Sequence, residues 1–443
     1  MAQSQEQARG TVRRGHLPAE HPLRRSLHDE VHARPFEPMT APLRLSHLAV
    51  LTGEDMAGQE RVHLAALCRR FGVEAPPPDA TQVFVDLGGF RLRWERHTEF
   101  STYGFIVEGG FEEAFSDPII NRVPADWLEA LPGQVIVALH VAVEGRDSPR
   151  RSVSEVDALF GSEALAGSRM SSDAAAGWTD FRISEDGFSR IFVQDYAMGP
   201  RRTGRLIRRL LELETYRMMA LLAFTPAREA GPALSRIGGR LTDITAAMAD
   251  SPDNSEDRKL LDELSGLAAE LERIGARLAY RLGAMRAYNA LVGQRLEEIR
   301  ENRLEGLQTI AEFLSRRYVP AIRTCESVQL RLDQLTLRVT RASEMLRTRV
   351  DVHLEAQNRD LLASMDRRAK VQLRLQETVE GLSVAAISYY VIGLIGYLAK
   401  GVKVAGAPVP PDLVTGAAIP LVVLLVWAGM RRMRRRLSRQ IGE

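Results

Sequence analysis

Two histidines in the N-terminal part of the chain, His28 and His32, have a spacing that can bind a metal ion. Residues four apart lie on one face of an α-helix, so both imidazoles can reach the same ion. Asp29 follows the first histidine, at the position where zinc-dependent hydrolases carry the glutamate that activates water. The pattern raises the hypothesis of a divalent metal site formed by His28, Asp29 and His32. The most specific form of this hypothesis is a catalytic site in which the metal activates water for hydrolysis.

The surrounding sequence favours a simpler interpretation of this segment. Aspartate is one methylene shorter than glutamate, and no third ligand follows at a spacing typical of zinc hydrolases. Pro22 and Pro35 limit any helix here to a few turns. Other histidines lie close by in the sequence, and such a density can bind metal without a dedicated site. We therefore expect a segment that docks on the folded domain, with a structural or regulatory metal site as the alternative. The chain has no Ser-His-Asp set or P-loop, so no enzymatic activity is expected.

Composition predicts a folded, multidomain protein in a reducing compartment. The chain has 443 residues, 45% of them hydrophobic and 26% charged, which is enough for two or three domains with their own cores. A net charge of only +2 argues against a dedicated nucleic-acid-binding protein. The two cysteines, Cys68 and Cys325, are far apart and provide neither a disulfide framework nor a Cys-rich zinc site.

The first half of the chain reads as a basic arm followed by an α+β domain. Residues 1–42 are polar, basic and rich in histidine, and they lack the apolar core of a secretory signal. Residues 43–198 alternate in the way that strands do, with one helix in "GQERVHLAALCRRFG". Gly88 and Gly89 supply the turn of a β-hairpin, and two more strands are expected on either side of Asp186-Gly187.

From residue 199 onward the pattern is helical. Residues 199–317 predict a helical bundle, in which Pro226 ends the first long helix and the last helix continues without a break to Pro320. Residues 318–381 predict one very long helix, which together with the following apolar run would extend roughly 120 Å. Its apolar row favours packing in a bundle over a coiled-coil stalk, because the heptad register drifts. The members of that row are Val328, Leu332, Leu335, Val339, Leu346, Val350 and Leu354, followed by Leu361, Met365 and Leu375.

Two uncharged runs near the C-terminus predict transmembrane helices at residues 382–399 and 414–430. Six arginines follow the second run between Arg431 and Arg439, and a basic flank of this kind marks the cytosolic side of a membrane. We therefore expect a protein of the bacterial inner membrane with both termini in the cytosol. The loop 400–413 then lies outside, and residues 431–443 form a basic cytosolic tail.

The first predicted span has an uneven surface. Tyr389, Gly393, Gly396 and Tyr397 fall near one side at helical spacing. Small residues let membrane helices approach closely, and tyrosine hydroxyls can bond across an interface or line a polar path. These four residues are candidates for helix packing or for the lining of a pore.

Several segments together resemble an uncharacterised bacterial family known only as membrane-anchored proteins of unknown function. The similarity is carried by "LHDEVHARPFEPMTAPLRLSHLAVLTG", "WTDFRI", "DGFSR", "LLELETYRMMALLA" and "YYVIGLIGYLAK", and it covers nearly the whole chain.

The order of domains separately resembles that of the CorA-type magnesium transporters. That resemblance implies a pore lined by the first span and a homo-oligomer of five subunits. In those transporters Gly-Met-Asn closes the first span, whereas this chain has Gly396-Tyr397-Leu398. Lys400 and Lys403 in the outer loop would also repel divalent cations. Any conduction is therefore expected to be weak or not selective for Mg²⁺.

These observations predict an α+β cytosolic domain, a helical bundle with a very long stalk helix, and two C-terminal transmembrane helices in a CorA-like architecture. The expected function is that of a CorA-like homo-oligomer that passes cations under the control of its cytosolic domain. The alternative is a membrane-anchored scaffold or sensor that does not conduct. The expected partners are the lipid bilayer and further copies of the chain, and a divalent metal ion is the one candidate cofactor.

Overall fold

The computed structural model describes residues 20–25, 27–28, 36–53, 55–161, 164–250, 256–404 and 410–440. The chain divides into two compact units. The sheet unit comprises Met1–Ala246 and Glu263–Arg341, and the helical unit comprises Ala247–Asp262 and Ala342–Glu443. The mixed sheet followed by long helices agrees with the fold expected from the sequence in its coarse outline.

The sheet unit is built on nine strands in the order β2-β3-β4-β1-β5-β8-β7-β6-β9. All neighbouring strands are antiparallel except β5 and β8, which are parallel. The strands are β1 (Leu43–Leu51), β2 (Gln82–Asp86), β3 (Arg91–Arg96), β4 (Phe100–Glu108), β5 (Gln134–Glu144), β6 (Ala166–Met170), β7 (Ala175–Thr179), β8 (Ser189–Asp195) and β9 (Asn302–Arg303). The β2–β3 hairpin turns at Gly88, whose φ is +82°, as the glycine pair predicts.

Strand β1 shows why the sheet can bury both of its faces. Alternate residues point to opposite sides of a strand. Leu43, Leu45 and Ala49 belong to the hydrophobic core that includes the long helices, whereas Leu48 and Val50 belong to a second core. That second core lies around helix α1 (Ala57–Arg70) and Trp127 of α2 (Ala125–Glu129). The central strand is therefore covered on both sides, which explains why apolar residues point to both of its faces.

The remaining helices are long, apart from α3 (Val153–Phe160), which a Ser152–Glu155 capping box begins. They are α4 (Pro200–Leu221), α5 (Phe224–Asp250), α6 (Asp257–Ile299), α7 (Ile310–Val404) and α8 (Pro411–Gln440). Helix α4 carries buried Leu206, Ile207, Leu210 and Leu213 into the larger core.

Two expectations about helix ends were wrong. Pro226 does not end the first long helix, because α4 ends at Leu221 and Pro226 lies in the first turn of α5. A proline in a first turn loses no hydrogen bond, since that N–H has no partner within the helix. The uninterrupted helix up to Pro320 is also wrong, because the chain leaves helical conformation between α6 and α7 and Pro320 lies inside α7.

The break between α6 and α7 has a local physical cause. Arg300 adopts a left-handed backbone with φ +49°, and β9 (Asn302–Arg303) follows on the edge of the sheet, with Glu301 between them. The carboxylate of Glu301 then accepts hydrogen bonds from the backbone N–H groups of Ile310 and Ala311, at 3.2 and 3.0 Å. Thr309 and Glu312 form a reciprocal capping pair at the same point. The start of α7 is therefore fixed at Ile310.

The apolar row of α7 divides into a buried part and an exposed part. Leu332, Leu335, Val339 and Leu346 are buried within the chain, which agrees with packing in a bundle. An ideal Cβ on Gly238 of α5 would lie 3.5 Å from Leu335 Cδ2. The later members, Leu354, Leu361, Met365 and Leu375, are exposed, so nothing in the described chain covers them.

Candidate functional site

Two helices, α7 and α8, contain runs that are long and apolar enough to cross a membrane. The first candidate span lies within 310–402 of α7 and the second at Pro411–Arg432 of α8, with mean hydropathies of 1.8 and 2.2 over their most apolar windows. Only 11% and 6% of these windows are buried inside the chain. Core helices of a soluble protein would be mostly buried, so the exposed apolar surface weakly favours membrane association.

The two apolar helices pack against each other through small residues. Ser388 and Ala399 of α7 and Val422 of α8 are buried. An ideal Cβ placed on Gly396 would lie 3.4 Å from the Oγ1 atom of Thr415 in α8, a tight contact. The Thr415 hydroxyl donates to the carbonyl oxygen of Pro411 at 2.7 Å, so its polar group is satisfied within its own helix. Gly396 therefore marks a close approach between the helices.

The four residues singled out in the first span do not share one environment. Gly396 lies on the side that faces α8, whereas Tyr389, Gly393 and Tyr397 lie on an exposed side of α7. The two tyrosines are 76% and 75% exposed, and an ideal Cβ on Gly393 meets nothing within 4 Å. Helix packing within the chain thus involves Gly396, while the other three form an outward surface.

A charged cleft lies at the end of the helix pair that leads into the arginine cluster. It has a volume of about 390 Å³ and is lined by Glu377, Glu380, Gly381, Val384, Trp427, Met430 and Arg431. The guanidinium of Arg431 lies over the ring of Trp427, with its carbon 4.8 Å from the ring centroid. Aromatic and charged side chains next to an apolar helix are typical of the interface between lipid and water.

The sheet unit contains a cavity of about 40 Å³, lined by both polar and apolar side chains, where helix α4 crosses the edge half of the sheet. This volume holds roughly three water molecules. The polar residues that line it come from β1, β3, β4, the turn between β3 and β4, and α4. They are His47, Arg93, Glu95, His97, Thr102, Arg208, Glu212 and Thr215.

His47 lies at a position on β1 where the alternation of the strand predicts an apolar side chain. It is buried on the same side as Leu45 and Ala49, and its Nε2 atom lies 3.2 Å from Thr215 Oγ1 on α4. Burial lowers the pKa of His47 to about 3, with further lowering by Arg93 and His97. The imidazole is therefore neutral at physiological pH and a poor proton acceptor.

The charged groups around the cavity are paired with each other. Arg93 and Glu95 form an ion pair of 2.6 Å, and both side chains are buried. Next to them, Glu99 accepts hydrogen bonds from Tyr288, at 2.9 Å, and from Arg281. Burial, with the charge of Glu99, raises the pKa of Tyr288 well above its usual value. Because the charges are paired, the cavity can hold water or a small polar molecule. None of these paired groups is activated as a nucleophile.

The histidine motif of the N-terminal segment falls largely outside the described residues. His28 lies within them, whereas Asp29 and His32 do not. In the described ranges, no cluster of three or more His, Cys, Asp or Glu side chains is placed to hold a metal ion. The metal site at His28, Asp29 and His32 stays a prediction.

His47 could have been found by strand periodicity. In "LRLSHLAVL" the positions of Leu43, Leu45, His47 and Ala49 share one face, and a histidine among core residues marks a buried polar site. Its neighbours Arg93 on β3 and Thr215 on α4 could not be assigned to it, because only the tertiary fold brings those segments together.

Comparison with known protein families identifies a matching family model. A family model described as "Protein of unknown function (DUF3422)" matches residues 19–437. No curated protein and no solved structure matches the chain. The expected similarity to an uncharacterised family is therefore confirmed, whereas the resemblance to CorA-type transporters gains no support.

Proposed function

The chain belongs to the DUF3422 family, and we propose that it is a membrane-anchored scaffold or sensor protein that acts as a homo-oligomer. One observation carries the proposal. Helix α7 contains both a segment that packs in the core of the sheet unit, including Ile310, Leu314 and Tyr318, and the first apolar run. The same helix that completes a folded domain thus also provides a candidate membrane anchor.

The charges around the two runs support an orientation with both termini in the cytosol of a bacterial cell. No charged residue lies between Leu382 and Ala399, and six arginines follow the second run directly. Each lysine or arginine placed at the centre of a membrane helix costs about 2.5–3.5 kcal/mol. The arginine cluster therefore stays on the cytosolic side of the membrane, where the chain is synthesised, and residues 403–412 lie on the opposite side.

Self-association is supported by the exposed part of α7. From Leu354 to Leu382 the helix carries a heptad pattern, with Leu354, Leu361, Arg368, Leu375 and Leu382 at one position. Asn358, Met365, Gln372 and Val379 occupy the other core position of the heptad. Apolar side chains at this spacing, exposed on a single chain, fit a second copy of the same helix. Polar members at both positions would fix the register.

The outward face of the first span favours an anchor over a pore. A conducting path needs a continuous polar lining. The exposed residues around the span include Leu382, Leu394 and Leu398. The tyrosines at positions 389, 390 and 397 are the polar groups among them. An exposed surface made of tyrosines and leucines supports contact with lipid or with another helix better than the passage of hydrated ions.

Cation passage remains the second candidate, because Tyr389, Gly393 and Tyr397 lie on one exposed side of the span. If several copies turned this side inward, the ring faces would meet a passing cation. Gly396 would not line such a path, since it faces Thr415 of its own chain.

Uptake of cations into proteoliposomes distinguishes the two functions. The full chain is reconstituted, and Mg²⁺, Co²⁺, Na⁺ and K⁺ are tested separately against empty vesicles. An anchor gives no uptake above the empty vesicles. Uptake by the wild-type chain that is lost in Gly393→Leu would establish conduction and overturn the scaffold proposal. The variant must still insert into the membrane and keep its native mass.

A further inference from the structure

A second cleft in the sheet unit is lined mainly by arginines. It has a volume of about 220 Å³ and lies where the β6–β7 turn, the start of α4 and the end of α6 meet. Its lining residues are Ser171, Ser172, Arg202, Arg205, Arg209, Glu298 and Arg300.

The charges in this cleft do not balance. Four arginines face one glutamate, Glu298. That carboxylate is already engaged, because it accepts from Arg209 Nε and from Arg295 Nη1, each at 3.0 Å. Across the described ranges, no carboxylate pairs with Arg202, Arg205 or Arg300. Three positive charges thus share one concave surface without an opposing charge.

Two of these arginines are held in place by neutral groups. Arg202 donates through Nη2 to the backbone oxygen of Ser171 at 2.7 Å. The guanidinium carbon of Arg205 lies 5.0 Å from the centroid of the Phe36 ring. A guanidinium has five N–H donors, so one hydrogen bond or a ring contact orients it and leaves donors for a further partner.

The backbone around the cleft is unusual. Ser171, Ser172 and Arg300 have φ values of +53°, +57° and +49°, in a region that residues other than glycine rarely occupy. The N–H of Ser171 donates to the oxygen of Ile299 at 2.8 Å, which ties the β6–β7 turn to the end of α6. Such strain persists where the surrounding structure enforces it, and here it brings two serines and an arginine to the edge of the cleft.

From these contacts we propose that the cleft binds a phosphate group, carried either by a small soluble molecule or by a lipid headgroup. The planar forks of Arg202, Arg205 and Arg300 match the oxygens of a phosphate, and the two serines at positions 171 and 172 add hydroxyl donors. A phosphate monoester brings about two negative charges, which suits a surplus of three positive charges better than a single carboxylate does. This binding site goes beyond membrane anchoring and does not depend on it.

Calorimetric titration of the full chain in mild detergent with inorganic phosphate, at constant ionic strength, tests the site. The variant Arg202→Gln/Arg300→Gln should bind phosphate at least roughly tenfold more weakly, because each charge-assisted hydrogen bond contributes more than a neutral one. The matched control is Arg316→Gln/Arg338→Gln, which removes two exposed arginines elsewhere and should bind as the wild type does.

Thermal unfolding distinguishes a variant that has lost phosphate binding from one that has failed to fold. Phosphate should raise the melting temperature of the wild type and of the control but not that of Arg202→Gln/Arg300→Gln. Without phosphate, the melting temperatures of all three proteins should be similar. An absence of phosphate binding by the wild type at millimolar concentration, or an equal loss of binding in the control, would overturn the proposal. Equal affinity for acetate would overturn the assignment to phosphate.

A comparison of two nanodisc compositions identifies the source of the phosphate. If a lipid headgroup occupies the cleft, discs that contain phosphatidic acid should weaken the binding of inorganic phosphate relative to discs of phosphatidylcholine alone. Equal affinity in both discs, with the arginine dependence retained, would assign the cleft to a soluble phosphate compound.

Discussion

Paired substitutions along α7 separate packing within the chain from association between chains. Leu361 and Leu375 are 60% and 65% exposed, whereas Leu335 and Leu346 are 4% and 0% exposed. If a second copy covers the first pair, each side chain loses about two thirds of its exposure, worth about 1–2 kcal/mol. Two such residues in each of two chains contribute about 4–8 kcal/mol, so their loss weakens association roughly a thousandfold or more.

The variant Leu361→Asp/Leu375→Asp should therefore lose its native mass as an oligomer but keep its fold. Leu335→Asp and Leu346→Asp should instead lower the free energy of unfolding by several kcal/mol, because each buries a carboxylate in an apolar site. The assays are light scattering after gel filtration in mild detergent and thermal unfolding followed by circular dichroism.

Leu373→Asp is the matched control for association. Leu373 is 55% exposed but lies outside the two core positions of the heptad, so this variant should keep the mass of the wild type. An unchanged mass for Leu361→Asp/Leu375→Asp, or an equal loss of mass with Leu373→Asp, would refute the assignment of the heptad face to another copy.

Three further predictions address orientation, the helical unit and the cavity. A reporter that is active only in the periplasm should work when inserted next to Pro410 and stay silent when fused after Glu443. Arg349 contacts buried Asp257 at 3.3 Å, so Arg349→Met should cost about 3–5 kcal/mol of unfolding free energy, unlike Arg347→Met at its exposed neighbour. Equal melting temperatures for Arg349→Met and Arg347→Met would show that the contact between Arg349 and Asp257 does not stabilise the fold. Folding depresses the pKa of His47 from 6.5 to about 3, so the unfolded chain binds more protons between these values. The contribution of His47 to stability is therefore complete above about pH 7, and the free energy of unfolding falls by about 2 kcal/mol between about pH 7 and 5, a loss that His47→Gln should reduce.

Strands and helices with a clear period were predictable from the sequence, and those that depend on tertiary contacts were not. "LRLSHLAVL" and "GQVIVALHVAVEG" contain β1 and β5, because their β-branched and apolar residues suit buried strands. Strand β6 was missed because "AGSRM" has little intrinsic strand preference. Its glycine is required by packing, since a Cβ on Gly167 would lie 2.3 Å from Trp178 Cδ1.

The break after α6 could be recognised in the sequence, although the helical periodicity of the apolar residues on both sides suggested one continuous helix. Thr309 and Glu312 have the spacing of a capping box, and Gly306 precedes them with φ +82°. The arginine cleft could not have been predicted, because its residues come from segments about 130 positions apart in the chain. Their convergence depends on β9 joining the sheet, which places the end of α6 next to the β6–β7 turn.

Alkaline extraction of membranes tests the anchor most directly. The full chain should remain in the membrane pellet after extraction at high pH. Leu394 and Leu424 lie on exposed faces of the two apolar helices, and an arginine at either position costs about 2.5–3.5 kcal/mol at the centre of a bilayer. The variant Leu394→Arg/Leu424→Arg should therefore move largely to the soluble fraction, while Leu361→Arg, outside the apolar run, should stay in the pellet. Release of the wild-type chain by alkali would contradict the proposal that these helices cross the membrane.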